Sequence, residues 1–116
     1  MGIEVRSADE SAIVAELTVT EALCTTGKIM HGGAIMAFAD TLGAIGAFMH
    51  LPDGAKATTT LESKTNFLGG APLGSVVVGT CTPVHVGRRT SVWQTRLATA
   101  DDKAVAMVTQ TQLVLS

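Results

Sequence analysis

Between Ile29 and Met49 this 116-residue chain is almost entirely apolar or small, and one carboxylate, Asp40, stands in the middle of the run. A helix that is apolar all round belongs in a core. An ionisable group inside such a helix is costly unless it is paired or put to use. The rest of the chain therefore has to cover one long central helix, about residues 32–50, and Asp40 has to have a reason to be there. The run opens on His31-Gly32-Gly33, at a helix start where unpaired backbone N–H groups and the positive end of the helix dipole favour anions. One element thus carries a candidate oxyanion site at its beginning and a carboxylate two turns later.

Spacing limits how those two features can cooperate. Gly32 and Asp40 are eight residues apart, about 12 Å along a helix axis at ~1.5 Å per residue. Groups that act on one carbon sit only ~3–3.5 Å from it. Gly32 and Asp40 of a single helix cannot both reach the same reacting carbon. If both are catalytic, the start of one subunit's helix works with another subunit's carboxylate, and the chain is a homo-oligomer.

A membrane span is the competing reading of an apolar run this long. The central Asp40, His31 and the glycines argue against it, as does the strand-like sequence on either side. The first residues, Met1-Gly2-Ile3-Glu4-Val5-Arg6, lack the basic-then-apolar pattern of a signal peptide. A hydrophobic content of 47% with 16% charged residues excludes a disordered chain. It is high for a small monomer, which again favours association. A net charge of −2 with both signs scattered gives nucleic acid or an anionic membrane no handle. Cys24 and Cys81 are isolated, without CxxC spacing, and read as small buried hydrophobes in a reducing, cytoplasmic setting. The three histidines show no metal-ligand spacing.

Around the helix the pattern is that of strands. Ile3–Ala8 is short. Ile13, Ala15, Leu17 and Val19 alternate with polar neighbours, the period of a half-buried strand. Pro52-Asp53-Gly54 ends the helical region. Ala57–Leu68 alternates, with Leu61, Ser63, Thr65 and Phe67 on one face; Ser75–Pro83 is valine-rich; His85–Arg89 forms a turn; Thr90–Thr99 and Ala104–Leu115 close the chain. About six strands and one buried helix in a single domain, residues 1–116, define an α+β class. Its curled antiparallel β-sheet wraps around the helix, and the short turns after the helix predict a meander.

These residues together resemble the hotdog-fold acyl-CoA thioesterases of the phenylacetate-degradation type, related to 4-hydroxybenzoyl-CoA thioesterase. The resemblance rests on His31-Gly32-Gly33, Asp40 with Thr41-Leu42-Gly43, Asn66-Phe67, Gly87-Arg88-Arg89 and Gln110-Thr111-Gln112, and it runs through nearly the whole chain. It implies a helix held in an antiparallel sheet, and dimers or dimers of dimers with sites between subunits. It also implies hydrolysis of an acyl-CoA to free acid and coenzyme A. On this resemblance the Gly32 N–H holds the thioester oxygen, and Asp40 activates water or attacks the carbonyl. His31 helps fix thioester or water, and Gly33 belongs to the same substrate-binding turn. Thr60 lies where relatives place a hydroxyl near the thioester, and Arg88 and Arg89 are placed to meet coenzyme A phosphates. Family members often carry Asn or Gln six residues before the histidine, whereas here Thr25, with Thr26 beside it, stands there. A hydroxyl is shorter than an amide and lacks its two donors.

Each residue also has a plainer reading. Asp40 could be a structural carboxylate, Gly32 a glycine needed for close packing, and His31 a helix cap. Thr60 could be an ordinary strand residue, and Arg88 and Arg89 a solvated turn. His50 and His85 read as structural. Trp93, Phe38, Phe48 and Phe67 read as core or interface packing. The resemblance implies no metal and no cofactor beyond coenzyme A as part of the substrate. Two other functions share the architecture: an acyl-CoA-binding protein without turnover and an enoyl-thioester hydratase.

Overall fold

The helix begins where His31 leaves the extended conformation. The backbone of His31 has φ −62° and ψ 139°, and its Nδ1 accepts the Gly33 N–H at 2.8 Å, capping one of the donors that a helix start leaves unpaired. In the computed structural model, which describes residues 1–116, this helix, α1, spans Gly32–Met49. Glycines such as Gly43 and Gly46 each weaken a helix interior by about 1 kcal/mol relative to alanine, so packing rather than propensity sustains α1. A Cβ on Gly46 would stand 2.7 Å from Trp93 Cζ3, and one on Gly43 would overlap the side-chain amide of Gln110. Both partners are fully buried. The two glycines are the gaps through which the sheet reaches the helix.

His50 closes the element. Its two ring nitrogens face the carbonyl oxygens of Gly46 (2.9 Å) and Glu10 (3.0 Å), and its ring meets Trp93 edge-on at 5.0 Å. The helix thus ends one residue short of the expected boundary, with His50 as its cap rather than its last turn.

The sheet against which α1 packs has six strands, β1 (Glu4–Ala8), β2 (Ile13–Thr18), β3 (Ala57–Phe67), β4 (Val76–Val86), β5 (Thr90–Thr99) and β6 (Ala104–Leu115), of which β1 is an exposed edge away from the helix. All pairings are antiparallel, in the order β1-β2-β4-β5-β6-β3. The order corrects the expected meander, which holds only for β4-β5-β6. β3 lies at the far edge, paired with β6, and β4 sits beside β2. Residues 68–75 make the crossing possible. Three strand spacings are about 14 Å, well within reach of eight residues at ~3.3 Å each. The loop is pinned on the way by Met30 N–H to Ala71 O (2.8 Å), Leu73 N–H to Lys28 O (2.9 Å) and Gly74 N–H to Val19 O (2.8 Å). The valine-rich strand also runs beyond its expected end at Pro83. A register shift between Pro83 and His85 accommodates the proline, which has no N–H to give to the ladder, and pairing resumes at His85 and Val86.

Ile13, Leu17, Val77, Trp93, Leu97 and Val108 form the core with Phe38 and Leu42 of the helix. The cover is one-sided. Ile35, Phe38, Ala39, Leu42, Gly43, Gly46 and Ala47 are buried, but Met36, Phe48 and Met49 stay exposed, Phe48 to 62%. Within one chain, the sheet therefore does not enclose the helix as its all-round apolarity predicted: the edges β1 and β3 do not meet behind it. By length and hydropathy α1 could cross a membrane, yet its buried face belongs to this sheet. Cys81 is fully buried as expected, with its thiol pushed up by desolvation, whereas Cys24 is only half-buried.

Candidate active site

Asp40 is the half-buried carboxylate of α1, and it faces β3. The Thr60 hydroxyl donates to Asp40 Oδ1 at 2.7 Å. Simple alternation would turn Thr60 away from this side. Ser63, Thr65 and Phe67 oppose Gln110, Val108 and Ala106, all buried inward-facing residues of β6, and Thr60 lies three positions before Ser63. An odd separation puts two residues on opposite faces of a regular strand. The register shift between Thr60 and Glu62 changes the phase, so that Thr60 opposes the inward Gln112. The bulge thus re-aims one hydroxyl at one carboxylate, and Leu61 leaves the inner-face set to which alternation assigned it.

The other candidate group lies at the opposite end of the helix–β3 contact. Gly32 is the first residue of α1, and its N–H makes no hydrogen bond within the chain. A Cβ on Gly32 would lie 3.3 Å from the ring of Phe67, the last residue of β3. The Gly33 N–H, by contrast, is taken by His31 Nδ1. With Nδ1 accepting, a neutral His31 ring carries its proton on Nε2, and the side chain is exposed. Thr25 and Thr26 occupy a turn in which Thr25 N–H donates to Ile29 O (2.9 Å) and Lys28 N–H to Thr25 O (3.0 Å). The turn is joined to the helix start by the Cys24–Met30 bridge and by His31 N–H to Leu23 O (2.7 Å). Thr25, Thr26, His31 and Gly33, all exposed, therefore form one cluster with the half-buried Gly32.

Asp40 and Thr60 form the other cluster. Arg88 and Arg89 belong to its end of the sheet: Arg89 O accepts from Val114 N–H (2.8 Å), and Val114 opposes Thr58, two residues before Thr60. Both arginines are exposed. Neither of the chain's two concavities includes Asp40 or Gly32. One, of about 320 Å³, lies by Arg6 and Glu16, and the other, of about 380 Å³, by Thr80 and Arg96. The two halves of the predicted chemistry thus sit on one helix, on open surface, about 12 Å apart.

Gln110 and Gln112 are the site components that residue-by-residue reading missed. They entered only as part of a resemblance, yet both are fully buried behind Asp40. The signal was present: they continue the inward alternation of Ala106 and Val108 on β6, and an amide at an inward position needs partners.

A helix seated on a six-stranded antiparallel sheet, with an acidic residue two turns after a His-Gly-Gly start, defines a class. Residues 27–106 match the model of the thioesterase superfamily, and the chain belongs to that family as a hotdog-fold acyl-CoA thioesterase. Among its relatives, a 1,4-dihydroxy-2-naphthoyl-CoA hydrolase of Listeria monocytogenes is 29% identical over 108 residues, covering 92% of this chain and 85% of that protein. A 1,4-dihydroxy-2-naphthoyl-CoA thioesterase of Arabidopsis thaliana is 35% identical over 81 residues, 70% of this chain; the match spans 50% of that protein's length. Among solved structures, a thioesterase of Haemophilus influenzae superposes with a TM-score of 0.90 at 27% identity, covering 98% of this chain and 78% of its own. A Streptococcus mutans protein bound to acetyl-CoA shares the fold, with a TM-score of 0.91 at 22% identity over 100% of this chain and 90% of its own.

Proposed function

We propose that this protein hydrolyses an acyl-CoA thioester, with Asp40 as general base or nucleophile and the Gly32 N–H of a neighbouring subunit as oxyanion donor. The observation that carries the reading is the pairing of a free Gly32 N–H with an anchored Asp40 carboxylate on the same helix, too far apart to serve one carbon. A homodimer or dimer of dimers would bring one subunit's helix start to another's Asp40. The exposed Met36, Phe48 and Met49 and the free edge of β3 give such an assembly apolar and backbone surface to bury.

In the base route, Asp40 takes a proton from water and the hydroxide oxygen bonds to the thioester carbon. The C–S bond then breaks, and the coenzyme A thiolate leaves and is protonated. In the nucleophile route, Asp40 Oδ2 bonds to the carbon and displaces the thiolate, and water then cleaves the resulting anhydride. In single turnover in H₂¹⁸O, label in the Asp40 carboxylate identifies the second route with water attacking the Asp40 side of the anhydride; label in the product acid alone is common to the base route and to attack at the acyl side. In either route the oxyanion is held by Gly32, as backbone donors hold it in acyl transfer. The His31 Nε2–H, Gly33, Thr25 and Thr26 line the helix-start side of the substrate. Arg88 and Arg89 hold coenzyme A phosphates, a task suited to guanidinium groups. Hydrolysis moves no electrons to an external acceptor, so the reading includes no redox cofactor; the histidine spacing suggests no metal, and the isolated Cys24 and Cys81 favour the cytoplasm. Relatives named for 1,4-dihydroxy-2-naphthoyl-CoA favour an aromatic acyl group.

The test is thiol release from benzoyl-, 4-hydroxyphenylacetyl-, 1,4-dihydroxy-2-naphthoyl- and hexanoyl-CoA by wild type and Asp40→Asn. Turnover that falls at least ~100-fold in a folded Asp40→Asn variant, about 2.7 kcal/mol of barrier, is the expected result. Tight binding of these thioesters by wild type with no thiol release would replace the reading with an acyl-CoA-binding protein. Hydration of an enoyl-CoA instead would make it a hydratase.

A further inference from the structure

We propose that Gln110 and Gln112 are positioning residues for Asp40, acting through Thr60 in a closed ring of hydrogen bonds whose polarity is set by the helix backbone. The proposal rests on the reading of Asp40 as the reacting carboxylate. The ring starts at the Ala39 carbonyl, which can only accept. Gln110 must therefore present its amide nitrogen there, and does so at 3.0 Å. Its oxygen is left to face Gln112, which presents Nε2 at 2.8 Å. The second hydrogen of that nitrogen meets Thr60 Oγ1 at 2.7 Å. An amide nitrogen accepts nothing, so the single Thr60 proton is directed to Asp40 Oδ1 at 2.7 Å. Peptide linkage from Asp40 back to Ala39 closes the circuit.

Each direction in the ring follows from the one before it, and both glutamines are almost wholly shielded from solvent, at 0% and 1% exposure. Water does not compete for the two bonds made by Gln110, whereas the Thr60–Asp40 bond lies at the solvent-facing end of the ring. Two local features admit the ring. Gly43 leaves the space that the Gln110 amide fills, and the β3 bulge brings Thr60 opposite Gln112. The result is a carboxylate with one oxygen tied and the other left for the reacting atom.

The test is a double-mutant cycle on the panel thioester that wild type hydrolyses fastest, with thermal melts to establish folding. Thr60→Val should lower kcat about 10- to 100-fold, in the range expected of a mispositioned catalytic group, with KM within about twofold. Thr60→Ser, which keeps the hydroxyl, should restore most of it. Gln112→Met should lower kcat in wild type and cost nothing more on the Thr60→Val background, because the two act in series. Gln112→Glu keeps the shape but has at most one proton to give where the amide has two, so it cannot donate to both Gln110 and Thr60 and should lower kcat even where Gln112→Met folds poorly.

Equal factors for Gln112→Met with and without Thr60 would overturn the ring, as would a loss confined to KM or a Thr60→Ser as impaired as Thr60→Val. Asp40→Asn, assayed alongside, separates the two levels. If it abolishes turnover while the cycle is multiplicative, the ring alone fails; if it turns over normally, the carboxylate assignment fails and takes the ring with it.

Discussion

Gly32 and Asp40 share a helix, yet the molecule holds them by opposite means. At Gly32 the functional group belongs to the backbone and is left free, with only the His31 cap and the Phe67 ring nearby. It is shaped by the helix start itself and by residues 67–73, which pack on it or bond to the turn before it. At Asp40 the functional group is a side chain with rotational freedom, and its geometry is maintained from Thr60, Gln110 and Gln112, as far as 72 residues away in sequence. A backbone donor is positioned by folding the helix. A carboxylate has to be positioned by folding everything else, and that half of the site should be the more fragile one.

Gly43→Ala should break the Asp40 half most severely. The added methyl occupies the place of the Gln110 amide. The gain in helix propensity, about 1 kcal/mol, is smaller than the combined cost of overpacking and of a displaced buried amide, so the net loss should be about 1–3 kcal/mol. Urea unfolding measures it, and kcat should fall with it. A variant as stable and active as wild type would show that the ring has slack.

His31→Ala probes the other half. Loss of the cap should cost about 1 kcal/mol, and His31→Asn, another good cap, should recover the stability without recovering turnover if the Nε2–H touches the reactants. Recovery of both would reduce His31 to a cap. Replacing Arg88 and Arg89 together by alanine should raise KM for the acyl-CoA by about 3- to 10-fold, as loss of charge-assisted phosphate contacts would. That increase should shrink in high salt, and KM for a pantetheine thioester lacking the phosphates should not change.

The smallest effect is expected far from both halves, at the β5–β6 turn. The Thr99 hydroxyl holds the Asp101 carboxyl below its ordinary value of 3.8. A carboxyl depressed in the folded state stabilises above its unfolded value, and that contribution is lost as pH falls through the folded one. Melting temperatures of wild type and Asp101→Asn should therefore differ slightly at neutral pH and converge in acid, with turnover equal throughout.

The contrast between the halves also explains what the sequence made legible. His31-Gly32-Gly33 and Asp40 could be read because helical spacing converts residue number directly into distance. β5 and β6 could be bounded from alternation and the polar turns that flank them, at Thr90–Thr99 and Ala104–Leu115. The place of β3 could not, because alternation shows that a strand has an inner face but not which strand it lies beside. The loop at residues 68–75 is long enough to allow either choice. Thr60 illustrates the same limit at one residue. Its aim depends on a bulge, a single-residue slip in the alternating pattern, and the sequence around Leu61 carries no mark of it.

The position of β6 has a consequence in time. It is made after the other five strands, yet it lies between β5 and β3 and is the only partner of β3. While the chain is being synthesised, the long threonine-rich strand has no neighbour to pair with, and Asp40 has no buried amides behind it. The turn that caps the helix start is held by local bonds such as His31 N–H to Leu23 O; the anchored carboxylate can appear only once residues near 110 have emerged and inserted. Substrate turnover in a nascent-chain series should therefore begin abruptly with the emergence of β6.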